Sequence, residues 1–471
     1  MGVADGSGHD VRITRRRFLG QAAVGMAGLA VGPHAFVPRS SHAGGRGTKI
    51  VRAYHPDATT GWEVNQEPVD MMVHAAVREL TGIGHPGMAW KSLFPGITVN
   101  KRIGIKINLS CGDVPTHPEV VNAIIDGLLM MDLDGEQLPE NHIIVWDLDN
   151  AFFCAQTGYT ANYGGEGVQY YGTDHPLCGH DLSLSFFIEH PNDYISEHHP
   201  SKIISQRTDY MINAAVIKDH SDAGVTFCLK NNYGSFDNIN IWPMHVSGTY
   251  GDGHTRGEPE LNRVLRDELG DKTKLFLIDC TLGLYDGGPG YIPPYHTPPN
   301  WVYNSVLIGT DPVALDRIGT IKINEERYKH GITTPLNPSH VYTAAQDPYN
   351  LGTDDPDQID LVEIDASLAE EVIEGSGGLH GVALLAPFPN PARDGCTLRF
   401  RSARESEVEV MVTDVSGSVV RRIAAGSFGA GLHRFRWDGC DDRGHRLSSG
   451  TYFCHLKTGD GIQRHRVVAL R

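Results

Sequence analysis

Between residues 103 and 150 the chain alternates strand and helix signals in a way that leaves few folds open. IGIKINLS (103–110) and HIIVWDLDN (142–150) are apolar runs of strand length. The segment between them carries helix signals. Thr116 and Glu119 form a T-x-x-E capping box, Pro118 suits a first turn, and the helix is expected to run to about Met131. Strand, helix and strand at this spacing form a right-handed crossover, which makes the two strands parallel. Ligands of such sheets gather at the carboxyl ends of the strands. Asn108, Ser110, Thr116 and His117 fall at the first such end, and Asp147, Asp149 and Asn150 at the second. Lys106 lies inside the first strand, where an ammonium needs a carboxylate partner or a ligand anion.

The alternation continues on both sides. Residues 50–54 form a first strand, and VDMMVHAAVREL (69–80) has helical spacing. Residues 152–205, rich in Tyr, Gly and His, read as an insertion or lid over the sheet edge. A helix at 258–269 leads to the strand KLFLIDC (274–280), which Asp279 ends. SVLIGTDPVALDRIGTIKI gives a strand and then a helix, with Asp311 as N-cap and Pro312 at its first position. A helix at 338–346 and the strand IDLVEID (359–365) close the unit. The expected fold is an α/β core with a mainly parallel sheet over residues 44–373. EGSGGLHG lies within a linker at 374–383. Residues 384–471 change to short alternating strands separated by turns, the pattern of an all-β immunoglobulin-like sandwich.

The densest chemistry is in INAAVIKDHSDAGVTFCLKNNYGSF (212–236). Two apolar runs deliver Lys218 and His220, then Lys230, Asn231 and Asn232, to places where elements end, and rigid elements aim such groups. Lys106, Lys218 and Lys230 suit carboxylate or phosphate oxygens. His220 suits general acid–base work beside Lys230, since imidazole titrates near neutral pH. Asn108, Asn231 and Asn232 suit donation to a developing oxyanion, and Asp279 and Asp311 suit orienting these groups or holding a cation. His245, Asp252 and His254, spaced His-x6-Asp-x-His in one loop, form a candidate divalent-metal set. The expected ligand is a small anion; no other cofactor is specified.

Charge and cysteine usage exclude other classes. The net charge of −17 is uneven: residues 1–43 carry +3 and residues 384–471 carry +5, leaving −25 on the middle. So acidic a body repels phosphate backbones, and nucleic acid is not an expected partner. The eight cysteines contain no CxxC pair, so zinc ribbons and iron–sulfur clusters are not expected. Cys228 and Cys280 sit in apolar runs as small buried residues, while Cys396, Cys440 and Cys454 leave room for one disulfide in an oxidising compartment.

The start, ITRRRFLGQAAVGMAGLAVG, places Arg15, Arg16 and Arg17 before Phe18, Leu19 and a Gly/Ala-rich apolar run. This resembles a bacterial twin-arginine signal, with maturation expected near Ala43 after Ser41-His42. The resemblance implies export across the cytoplasmic membrane by the twin-arginine translocase, to the periplasm, cell surface or exterior.

KINLS with THPEVV, KDHSDAGVTFCLKNNYGSF, LIDCTLGLYDGGPG and VLIGTDPVALDRIG resemble, in order, the family called domain of unknown function 362. Some relatives append a ferredoxin segment, which this chain lacks. The exported branch has a Cys-containing segment after its WP-M-H block; here that stretch reads VSGTYGDGHT. PFPNPARDGCTLRF, VTDVSGSVVRRI and GLHRFRWDGCDDRGHRLSSGTYFCHL resemble the immunoglobulin-like domain of flagellar hook-capping proteins, and are similar to type IX secretion sorting domains. This implies an envelope or secretion partner for the tail. Three roles remain open: an exported enzyme on a small anion, a non-catalytic ligand or metal carrier, and a surface-associated structural protein.

Overall fold

A computed structural model describes residues 47–110, 114–189, 195–221, 223–237, 252–288, 298–368 and, with short gaps, 382–470. The expected signal peptide and most of the expected linker lie outside the described residues. Among the described residues, β1 (Thr48–Tyr54), β2 (Ile103–Ile107), β3 (Ile143–Asp147), β4 (Gln169–Gly172), β5 (Tyr210–His220), β6 (Gly224–Val225), β7 (Thr273–Leu284), β8 (Trp301–Gly309) and β9 (Ile359–Asp365) form one sheet. Its order is β9-β1-β8-β7-β5-β2-β3-β4, with β6 folded back on β5. β7, β5, β2, β3 and β4 are mutually parallel. β8 runs antiparallel to both β7 and β1, so the sheet is mainly, not wholly, parallel.

Side-chain alternation divides the sheet into two packed faces. Ile103, Ile105 and Ile107 of β2, Ile143 and Val145 of β3, and Ile212 and Ala214 of β5 face α1 (Gln66–Thr81), α2 (Pro86–Ser92) and α3 (Pro118–Leu129). The opposite face holds Ile144 and Trp146 of β3 and Ala215 and Ile217 of β5. It is covered by the single turn α4 (Cys228–Asn231), α5 (Asp252–Asp267), α6 (Pro312–Lys329) and α7 (Ser339–Ala344). Each fully buried Ile or Leu here stabilises the fold by about 1.5–3 kcal/mol relative to leaving it in water.

Two local expectations need correction. The residue at the N-cap of α3 is His117, and no side chain caps that helix end. The Thr116 hydroxyl instead donates to the Ala214 carbonyl (2.8 Å) and accepts from the Asn108 N–H (2.9 Å), fastening the β2–α3 loop to β5. Residues 152–205 are more than a lid: they supply β4, the outermost strand, and an antiparallel hairpin of Phe186–Glu189 with Ile195–His198.

The tail forms β10 (Val382–Phe388), β11 (Cys396–Ser402), β12 (Ser406–Asp414), β13 (Val419–Phe428), β14 (Gly431–Trp437), β15 (Gly450–Thr458) and β16 (Gly461–Ala469). These make two antiparallel sheets, β10-β11-β14 and β13-β12-β15-β16. They close on Leu398, Phe400, Val410, Val412, Trp437 and Leu456. Cys396, Cys440 and Cys454 are free thiols, so the expected room for a disulfide is not used.

Alternation along β11 turns Leu398 and Phe400 into that core and Arg399 out of it. Arg399 is nevertheless buried, because its guanidinium reaches the α/β domain. It pairs with the Asp126 carboxylate through both terminal nitrogens, one at 2.8 Å, and lies 3.5 Å from Asp70. Arg434 adds contacts to Glu67 (2.6 Å) and Asp70 (3.2 Å). Part of the tail's arginine surplus thus faces acids of α1 and α3. Arg399→Ala leaves two carboxylates in the contact without the guanidinium, a loss of about 3–5 kcal/mol. Calorimetry should then resolve separate unfolding of the two domains where the unaltered chain shows one transition.

Candidate functional site

The site is built where β2, β5 and β7 end. The Lys106 side chain leaves β2 on the α4 face and is 1% exposed. Its ammonium donates to Asp147 Oδ1 (2.7 Å), the Ile107 carbonyl (2.7 Å) and Asn231 Oδ1 (3.2 Å), so all three of its hydrogens have acceptors. Burial draws the Lys106 pKa below the usual lysine range, and Asp147 opposes that fall. Asp147 also accepts the Leu109 and Leu148 N–H groups, each at 2.7 Å. Lys106 is therefore half of a buried ion pair that holds the ends of β2 and β3 together. The 232–235 turn packs closely on this pair: a Cβ on Gly234 would lie 3.3 Å from Asp147 Oδ1.

Lys218 comes from the other face of the sheet. It is 0% exposed and donates to Asn108 Oδ1 (2.8 Å) and to the carbonyls of Ser110 (2.8 Å) and Val114 (3.2 Å). Asn108 turns its Nδ2 to Asn231 Oδ1 (3.3 Å), the atom that Lys106 also reaches. Asn231 in turn donates to Asn213 Oδ1 (2.8 Å). A continuous chain, Asp147–Lys106–Asn231–Asn108–Lys218, therefore wraps around the end of β2 and joins the two faces. The lysines expected to bind a ligand together approach from opposite faces, and these bonds go to the protein's own loops.

The Asp279 carboxylate points toward the N-terminus of α3. Its Oδ2 accepts both the His117 N–H (2.8 Å) and the His117 Nδ1 proton (2.7 Å), and its Oδ1 accepts from the Thr281 hydroxyl (2.7 Å) and N–H (3.0 Å). Burial lowers the imidazole's pKa, but the charge and hydrogen bond of Asp279 and the charge of Glu119 together outweigh it, and the net shift is upward. Burial likewise raises the Asp279 carboxyl, and the His117 contacts bring it below the usual range. Burial pushes Glu119, near this pair, upward. His117 stands out in sequence as the residue before a helix-starting proline, and Asp279 as the sole acid of an apolar strand. Nothing in the sequence joins them across 162 positions.

The remaining predicted residues are dispersed. His220 Nδ1 accepts the Ala223 N–H (3.2 Å), closing the β5–β6 turn. The Lys230 ammonium lies 4.8 Å from the Tyr233 ring centre. Asp316 of α6, not one of the candidates, fixes α4, its two oxygens accepting the Cys228 and Leu229 N–H groups at 2.9 Å each, and burial pushes its pKa up to about 7. Asn232 donates to Asn262 (2.8 Å) and lines a cavity of about 410 Å³ with Arg266, Thr273 and Lys274, at the amino-terminal end of β7. Asp311 caps α6 through the Ala314 N–H (2.9 Å) and also accepts from Thr353 (3.1 Å). Because β8 is antiparallel, Asp311 belongs to the sheet edge opposite Lys106. His245 lies outside the described residues; Asp252 and His254 fall in α5, and their side chains are likewise not described. Among the described residues no group of three or more His, Cys, Asp or Glu could hold a metal ion.

The fold is an α/β domain with a mainly parallel sheet joined to an immunoglobulin-like sandwich. The family model for a domain of unknown function (DUF362) matches residues 103–320, and that for the FlgD Ig-like domain matches 394–461. The chain thus contains a DUF362-type segment, followed at its tail by an FlgD-type Ig-like domain. FlgD from P. aeruginosa is 30% identical over 19% of this chain and 75% of its own, with TM-score 0.16. PorZ, a surface component of the type-IX secretion system of Porphyromonas gingivalis, is 21% identical over 19% of this chain, with TM-score 0.14; the chain spans 12% of its length. A protein from Thermotoga maritima is 10% identical over 57% of this chain and 60% of its own, with TM-score 0.31. No curated protein matches the chain.

Asp147→Asn leaves the Lys106 ammonium buried without its carboxylate and should cost about 3–5 kcal/mol in chemical denaturation. Combining it with Lys106→Met should restore most of that loss, because no buried charge is then left over. A double variant as unstable as Asp147→Asn alone would show that the pair is not the source.

Proposed function

We propose that the α/β domain binds, and transforms, a small oxyanion at the carboxyl rim of β2, β5 and β7. The observation that carries this reading is the concentration of buried cationic side chains there. Lys106 and Lys218 lie in one hydrogen-bonded rim, with the oriented His117 at its border and the buried Lys230 in the turn α4 that also carries Asn231. Ammonium groups cost several kcal/mol to bury, and a field of that sign favours an anion near it. Lys106 and Lys218 act at one remove, holding the loops, while Lys230 and the imidazoles are the groups nearer a ligand.

The chain is exported in folded form through the twin-arginine translocase, and its tail meets an envelope or secretion partner. Support for export comes from Arg15, Arg16, Phe18 and Leu19, and support for the partner from the tail's likeness to FlgD and to PorZ, a bacterial surface component. The thermal midpoint should rise saturably with inorganic phosphate or a small carboxylate, by about 2.7 kcal/mol of stabilisation at a hundredfold excess over Kd. Lys230→Gln should remove that rise while the circular dichroism spectrum is kept. A midpoint that answers only to ionic strength, as matched sodium chloride would reveal, contradicts the proposal.

A further inference from the structure

His117 is nine-tenths buried, and one imidazole nitrogen is committed. Nδ1 lies 2.7 Å from Asp279 Oδ2 and 3.2 Å from the Thr281 hydroxyl, and the same carboxylate oxygen holds the residue's own N–H at 2.8 Å, so ring and backbone are fixed together. The side chain retains 11% exposure, and among the described residues Nε2 has no hydrogen-bond partner. A ring held at Nδ1 by a buried acid, with Nε2 left open at a strand end, has the geometry of an oriented proton acceptor. The charged groups facing it are Asp279 on β7, Glu119 on α3 and Lys218 on β5.

We infer that His117 is the residue that exchanges a proton with the ligand of this rim, a small carboxylate or phosphate oxyanion, and that Asp279 positions it. This rests on the anion-site reading above. In the step, a ligand O–H breaks, its proton forms the Nε2–H bond, the electron pair stays on the ligand oxygen, and the imidazolium charge faces Asp279. The reverse transfer restores both groups, so no further reactant is needed. Asp279 favours the charged ring, which keeps the proton on His117 to a higher pH than in an ordinary imidazole. Glu119 adds to that effect and Lys218 opposes it.

The test is a nuclear magnetic resonance titration of ring-labelled histidine in the full chain, with sulfate as a probe whose charge is constant over the range. The His117 signal, assigned by its loss in His117→Gln, should titrate above 6.5. It should move further upward with sulfate, and should titrate lower in Asp279→Asn than in the unaltered chain. Sulfate affinity should fall about tenfold as the ring deprotonates and be independent of pH in His117→Gln. If sulfate moves the Ser110 and Asn150 amides but not the His117 ring, the rim binds anions without this residue and the inference fails alone. If sulfate moves neither, both fail. The sulfate response is read on the unaltered chain, so it decides the matter even where Asp279→Asn does not fold.

Discussion

Asn108 is the joint on which the α/β domain's carboxyl rim depends. Its oxygen accepts one buried ammonium, Lys218, and its amide nitrogen reaches the oxygen shared with the other, Lys106. An amide suits this place because it both accepts and donates, whereas a carboxylate could only accept. The two lysines enter from opposite faces of the sheet, so the rim is tied through the end of β2. A buried ammonium lacking one acceptor would be costly, and among the described residues each of these two has at least three.

Function follows from what this network holds still. Lys218 grips the carbonyls of Ser110 and Val114, and Asp147 grips the Leu109 N–H, so both sides of the β2–α3 connection are anchored. Thr116 ties its far end to β5, and Asp279 then receives His117. The buried charges thus act through the loop they hold, and the imidazole at its end keeps only a small exposed edge. Pre-organisation of this kind lowers the ordering cost of binding.

Much of the frame was readable from sequence, because strand burial and helix starts are local properties. The crossover from β2 through α3 to β3, the Asp311 cap, the need of Lys106 for a partner and the change to a sandwich near residue 384 all follow from nearby residues. Other features depend on long-range placement. The direction of β8 decides which edge Asp311 occupies, and its residues carry no sign of that direction. Lys106 and Lys218 look alike as ligand groups until their acceptors are known. Arg399 alternates outward on β11 like a solvent-facing residue, and only the docked helices make it buried. The His117–Asp279 pair belongs to the same class of features, set by tertiary contact between distant segments.

Buried charge fixes both ends of the β2–α3 connection, and amide hydrogen exchange of Leu109 and His117 tests this most directly. Their N–H groups are given to Asp147 and Asp279, so they should exchange as slowly as the amides of β2 and β5, through opening that approaches global unfolding. Exchange of either at the rate of an exposed loop, with the β2 and β5 amides still protected, would contradict it.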